Sequence, residues 1–253
     1  NGIDRLILIN DSVFYFNRNL DNLFSDLLDC NHEWVCMYEN FGDEYHAQSF
    51  LLAFGPSIIQ SKLFKEYWDK YLPFNNRRYS IEAGEKGLTR VCKKIGYVPY
   101  VINSMGVLIE RLLTLTNLEY IALINNRWVK YGHHKYDELF KKMQETQLSS
   151  LNNNSKTNIV SNEVVQQLIL AIDNSNPTHS AAQLFLELLD RPFIKRDVVF
   201  RESVGIHQLK QSLLDSNLDQ REIDDCINEL RLKGTASDVK GIWSKLKLKY
   251  GFM

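Results

Sequence analysis

The sequence predicts an α/β protein: a layered sheet with flanking helices over residues 1–146, a linker over 147–158, and a mainly helical region over 159–253. Three observations carry that prediction. Short apolar runs closed by polar or Gly-Pro turns read as buried strands, and between them apolar residues recur at helical spacing. A Ser- and Asn-rich stretch, "QLSSLNNNSKTN", then separates this alternation from a region whose pattern is helical. With 253 residues, 44% of them hydrophobic, the chain can bury the core of one large domain or of a domain with a smaller partner.

The first element is the run at 5–9, whose unbroken apolar character predicts a strand buried on both faces and ending at Asn10-Asp11-Ser12. Leu20, Leu23, Phe24, Leu27 and Leu28 follow at helical spacing, with Asn19 or Asp21 as the candidate cap. "HEWVCMYENFG" reads as an exposed strand or loop, and "SFLLAFGP" as a second buried strand stopped by Gly55-Pro56. "SIIQSKLFKEYWDKYL" carries a helical stripe that Pro73 ends. A helix with Glu82, Glu85, Leu88, Val91 and Cys92 comes next, then a strand in "YVPYVI" and helices around 107–115 and 136–143.

Beyond the linker, Val164, Val165, Leu168, Ile169 and Ile172 share one helical face, as do Leu184, Phe185, Leu188 and Leu189. A further helix is punctuated at both ends, by the capping-box pair Asp219 and Glu222 and by Gly234, with Ile223, Cys226, Ile227 and Leu230 as its stripe. No internal repeat is present.

Composition excludes several classes. Thirty basic and thirty-one acidic residues nearly cancel, so no global field recruits nucleic acid. Cys30, Cys36, Cys92 and Cys226 show no C-x-x-C spacing and no disulfide framework, which predicts a reducing, cytoplasmic setting. No run reaches the ~18 apolar residues of a membrane span, and no signal-peptide pattern precedes the first strand, so a soluble or peripheral protein is expected. P-loop, G-x-G-x-x-G, G-x-S-x-G and H-E-x-x-H motifs are all absent.

The candidate chemistry lies at strand ends. In open α/β sheets ligands gather there, and a carboxylate such as Asp11 can take one position on a divalent cation or accept from a ribose hydroxyl, while Asn10-Asp11-Ser12 also fits a plain Asx turn. His46 and Gln48 leave their strand on one side and Ser49 on the other, a donor–acceptor pair suited to a polyhydroxylated ligand or to ordinary structural bonding. Glu82 and Glu85, three apart, fall on one helical face. Glu85 is suited to general-base work or, as an exposed carboxylate at a helix start, to capping worth at most ~1 kcal/mol. His133-His134 lacks the spacing and the accompanying carboxylate of a metal site. The last stretch, "KGIWSKLKLKYGFM", fits either a helix docked by its apolar side or a basic, aromatic segment resting on an anionic membrane.

In order, "LILINDSVF", "HAQSFLLAFGPSIIQSKLFKEYWDKY" and "EKGLTRVCKKIGY" resemble the glycosyltransferases of bacterial rhamnan and related cell-surface polysaccharide synthesis. In that family a strand ending in N-D-S is followed by H-x-Q-S and an apolar strand, a helix with F-x-x-[FY]-W, and E-x-G-[LF]-[ST] leading to G-Y. "NPTH" at 176–179 and "RPFIKRDVV" at 191–199 resemble a downstream segment of the same proteins. The match covers roughly residues 3–102 and parts of 174–200.

The resemblance implies a GT-A-like, Rossmann-like sheet with the family's N-terminal half expected upstream of residue 1. It implies inverting transfer of a sugar, rhamnose being the leading suggestion, from a nucleotide-sugar donor to a hydroxyl of a lipid-linked or growing glycan. Glu85 would be the catalytic base. Asn10, Asp11, Ser12, His46, Gln48 and Ser49 would line the donor site, with Asp11 as metal ligand if Mg²⁺ or Mn²⁺ takes part. Residues 240–253 would meet the cytoplasmic face of the inner membrane. The rival expectation is a non-catalytic binding or scaffold module of a polysaccharide-synthesis complex.

Overall fold

The structure, a computed structural model, describes residues 2–115, 176–180, 182–189, 193–201 and 204–250. The chain forms two compact units, 1–104 with 235–253, and 105–234. The expected linker at 147–158, the expected helices at 136–143 and around 164–172, and His133-His134 all lie outside the described residues.

The first unit runs β1 (Leu6–Ile9), β2 (Val13–Tyr15), α1 (Leu20–Asp29), β3 (Trp34–Cys36), β4 (Glu39–Asn40), β5 (His46–Ala47), β6 (Leu51–Phe54), α2 (Pro56–Ile59), α3 (Lys62–Lys70), α4 (Arg77–Tyr79), a π-helical segment (Ser80–Lys86), α5 (Gly87–Ile95) and β7 (Tyr100–Val101). Four strands form an open sheet in the order β1-β6-β3-β7. β6 is antiparallel to both neighbours, pairing Leu6 with Phe54 and Trp34 with Phe54, while β3 and β7 run parallel. The expected α/β class is therefore met as a mixed architecture with an open sheet and flanking helices.

The two central strands are buried throughout. β6 matches its expectation, but "WVCMY" does not: Trp34 to Tyr38 are all buried, and β3 is an interior strand rather than an exposed one. Its polar flanks, His32-Glu33 and Glu39-Asn40, mimic an alternating pattern around an unbroken apolar run. β1 departs the other way. Among the described strands it pairs with β6 alone, at the edge of the sheet, and it is half-buried with Ile9 exposed.

Helices α2, α3 and α5 cover the sheet through Ile58, Phe64, Leu88 and Cys92, which pack with Trp34 and Phe54 in one core cluster. Pro56 opens α2 at the first turn, where its missing N–H costs nothing, and the Glu33 carboxylate accepts from Ser57 N at 2.9 Å. α1 buries Leu23 and Leu27; Asn19 stands at its N-cap in the left-handed region (φ 56°) without a side-chain capping bond. Burial raises the Cys92 thiol to about 12, so it behaves as a small apolar group.

In the second unit, helix α6 (Met105–Leu113) packs with helix Ala182–Leu188, which also meets the short strand Phe193–Lys195. Helices Ile206–Asp215 and Gln220–Lys233 pack together. The second of these follows its sequence signals closely. Asp219 accepts from Arg221 N and Glu222 N, its apolar stripe is buried, and Gly234 ends it at φ 68°. Asn176 Oδ1 accepts from Thr178 N and Oγ1, fixing the turn in "NPTH", and the His179 ring meets Asp197 at 2.8 Å. Burial alone would raise the Asp197 carboxyl, but the His179 bond and nearby Lys195 and Arg201 hold it well below the ordinary carboxylate range.

Candidate functional site

Residues 77–95 run as α4, the π segment and α5, with right-handed helical backbone at both junctions. Inside the π turn Gly87 N–H reaches back five residues to Glu82 O, and the Tyr67 phenol donates to the carbonyls of Ala83 (2.8 Å) and Gly84 (3.2 Å). Such turns need outside donors, because the widened ladder releases carbonyls. Burial pushes the Tyr67 hydroxyl up and keeps it a proton donor. Gly84 suits this place: a Cβ there would lie 3.3 Å from Tyr71 Oη.

The wider turn separates the two glutamates that α-helical spacing puts on one face. Glu82 pairs with Lys86 at 2.5 Å and faces Arg90, whereas Glu85 points to the strand ends. Glu85 Oε1 accepts from Ser49 N at 3.2 Å and from Ser49 Oγ at 2.9 Å, and Oε2 lies 3.6 Å from His46 Nε2. The carboxylate is 17% exposed. It is thus a partly buried acceptor rather than the exposed helix-start group that the sequence suggests.

Ser49 joins this helix to the first motif. Its hydroxyl accepts from Asn10 Nδ2 at 3.3 Å, and Asn10 Oδ1 in turn accepts from Ser12 N (3.0 Å) and Ser12 Oγ (2.5 Å). The Asx turn at Asn10-Asp11-Ser12 is therefore present and is also the end of a relay. Asn10 N donates to Phe50 O, which ties the turn to the mouth of β6. A single hydrogen-bonded chain runs from Ser12 through Asn10 and Ser49 to Glu85, with His46 on its far side.

His46 is buried, and its Nδ1 lies 2.8 Å from Glu44 O. A carbonyl only accepts, so Nδ1 carries a proton and Nε2 is left to face Glu85. Gln48 is also buried, with its backbone N–H on Tyr38 O, whereas Asp11 is exposed beside the relay. Among the described residues no group of three or more His, Cys, Asp or Glu side chains assembles.

Sequence reasoning missed Lys86. It is buried, with Nζ 2.8 Å from Asp43 and 2.5 Å from Glu82, and these bonds raise its own pKa and hold Asp43 below the usual carboxylate range. Arg90 holds Glu44 low in the same way, through a bond of 2.7 Å from Nε. This ion-pair belt ties Asp43 and Glu44 to the π segment and α5. The only signal for it was a lysine inside an otherwise acidic helix start.

The class that fold and site define is a mixed α/β protein with an open sheet, whose strand ends and one π-helical turn share a polar cluster centred on Ser49 and Glu85. A scan against protein-family models and searches of curated proteins and solved structures each returned no match. None of the described helices is long and apolar enough to cross a membrane.

Proposed function

We propose that the chain is a GT-A-like glycosyltransferase that moves a sugar from a nucleotide-sugar donor to a hydroxyl of a growing bacterial surface polysaccharide. The observation that carries this reading is the meeting of three separated motifs. Asn10 and Ser12, His46 and Ser49, and Glu85 join in one cluster at the strand ends. Their order along the chain is the one in which they resemble the rhamnan-type transferases.

Glu85 acts as general base. Ser49 holds Oε1, so Oε2 is the oxygen that takes the proton from the acceptor hydroxyl. The alkoxide oxygen bonds to the anomeric carbon as the bond from that carbon to the diphosphate oxygen breaks, and the electron pair leaves with the nucleoside diphosphate. A single displacement inverts the anomeric centre. The buried His46 ring stands beside Oε2 and is not assigned to a sugar hydroxyl, and Asp11 reaches the donor from the exposed end of the relay. No step is assigned to Mg²⁺ or Mn²⁺. The acceptor is a lipid-linked glycan at the cytoplasmic face of the inner membrane.

A second reading, a non-catalytic binding or scaffold module, is favoured by one observation: Ser49 already gives two hydrogen bonds to Glu85 Oε1, as in a purely structural network. Calorimetric titration with dTDP-rhamnose, UDP-sugars and GDP-sugars separates the two. The enzyme reading expects saturable binding that Asp11→Ala abolishes, and transfer that Glu85→Gln abolishes while donor binding persists. Absence of binding to all of these donors, or full pathway output in Glu85→Gln, would overturn it.

A further inference from the structure

The C-terminal helix Ile242–Tyr250 belongs to the first unit and buries none of its residues. Ile242 and Trp243 are 72% and 77% exposed. Its last turn is fixed to a loop far back in the sequence. Asn76 Nδ2 donates to Tyr250 O at 3.1 Å, and the Arg78 guanidinium stands 5.7 Å from the centre of the Tyr250 ring. That loop has uncovered apolar side chains of its own: Leu72 and Phe74 are 55% and 57% exposed. Two successive tight turns shape it, Phe74 N to Leu72 O at 2.9 Å and Asn76 N to Phe74 O at 2.8 Å.

Charge accompanies the apolar groups. Residues 70–81 and 239–253 contribute seven of the thirty basic residues and none of the thirty-one acidic ones. All seven cations are exposed. A nearly neutral chain therefore brings two segments rich in cations and free of acidic residues together at Asn76, Arg78 and Tyr250, where large apolar side chains are also uncovered. An acidic polymer would satisfy the cations and leave Trp243, Ile242, Phe74 and Leu72 in water. A lipid surface with anionic headgroups satisfies both.

We propose that the 72–78 loop and the C-terminal helix form one docking surface for an anionic membrane. Leu72, Phe74, Ile242 and Trp243 enter the boundary between headgroups and acyl chains, and the lysines and arginines face the phosphates. A nine-residue helix is ~14 Å long, too short to span, so it lies in the plane of the interface. The surface uses no residue of the Glu85 cluster, and its test needs no sugar.

The full chain is mixed with vesicles of phosphatidylcholine alone and of phosphatidylcholine with phosphatidylglycerol. Sedimentation with the anionic vesicles only, weakened by salt, is expected. The triple change Lys245→Glu, Lys247→Glu, Lys249→Glu should weaken binding at least ~100-fold, and Arg77→Glu with Arg78→Glu ~30-fold. Phe74→Ser should weaken it ~10-fold. Brominated acyl chains should quench emission in the unaltered chain and lose that quenching in Trp243→Phe, a readout that needs no destabilising change. Equal or absent binding to both vesicles would overturn the proposal. So would loop variants that bind as tightly as wild type, or binding without Trp243 quenching that polyglutamate matches.

Discussion

Removing the Glu85 side chain tests whether the cluster is a built feature of the fold. Oε1 accepts two hydrogen bonds from Ser49, and bonds to a charged acceptor each contribute ~1.5–3 kcal/mol. Ser49 is only half-buried, so water recovers part of the loss, and Glu85→Ala is expected to destabilise the first unit by ~2–3 kcal/mol. Glu85→Gln should cost ~1 kcal/mol or less. Its amide oxygen keeps both Ser49 bonds, and its amide nitrogen meets His46 Nε2, an acceptor when Nδ1 alone carries the proton. Urea unfolding followed by tryptophan emission reads this unit, because Trp34 lies in its core. An alanine variant within ~0.5 kcal/mol of wild type, or a glutamine variant as costly as alanine, would refute the network.

Two further outcomes are expected. Asp219→Ala removes two capping bonds from helix Gln220–Lys233 and should lower the stability of the second unit by ~1 kcal/mol, read by urea unfolding followed by the far-UV helix signal. Lys86→Met tests the ion-pair belt through pH. The raised pKa of Lys86 gives stability that is complete below its ordinary 10.5 and is lost as pH rises through the folded value. The lowered pKa of Asp43 gives stability that is present above 3.8 and lost as pH falls through its folded value. The gap between wild type and Lys86→Met should be flat between those limits and shrink beyond each. A gap that grows in acid would mean that the pair is not formed.

The strand β6 and helix Gln220–Lys233 were legible in the sequence because local signals sufficed: an unbroken apolar run stopped by Gly-Pro, and a cap, a stripe and a glycine stop. β3 was not, since its polar neighbours disguised an interior run, and β1 was over-buried because a sequence does not say which strand lies at the edge of the sheet. At the site, Asn10, Ser12, His46, Ser49 and Glu85 were all named from sequence. Their roles were less visible. Glu82 and Glu85 part company because the π turn depends on the phenol of Tyr67, some sixteen residues away, and no local spacing encodes that donor. His46 turns inward to Glu85 because Glu44 O holds its other nitrogen.

The junction of the π turn with α5 is also intolerant of changes in length. Glu85 must face Ser49 while, on the other side of the turn, Leu88 and Cys92 must face the core. Each residue of an α-helix rotates the next by ~100°, so deleting Lys86, which lies between Glu85 and Leu88, would swing either the carboxylate or the apolar stripe out of place. The stretch from Glu85 to Cys92 is thus a fixed ruler between cluster and core, and variation in chain length has to be absorbed outside it.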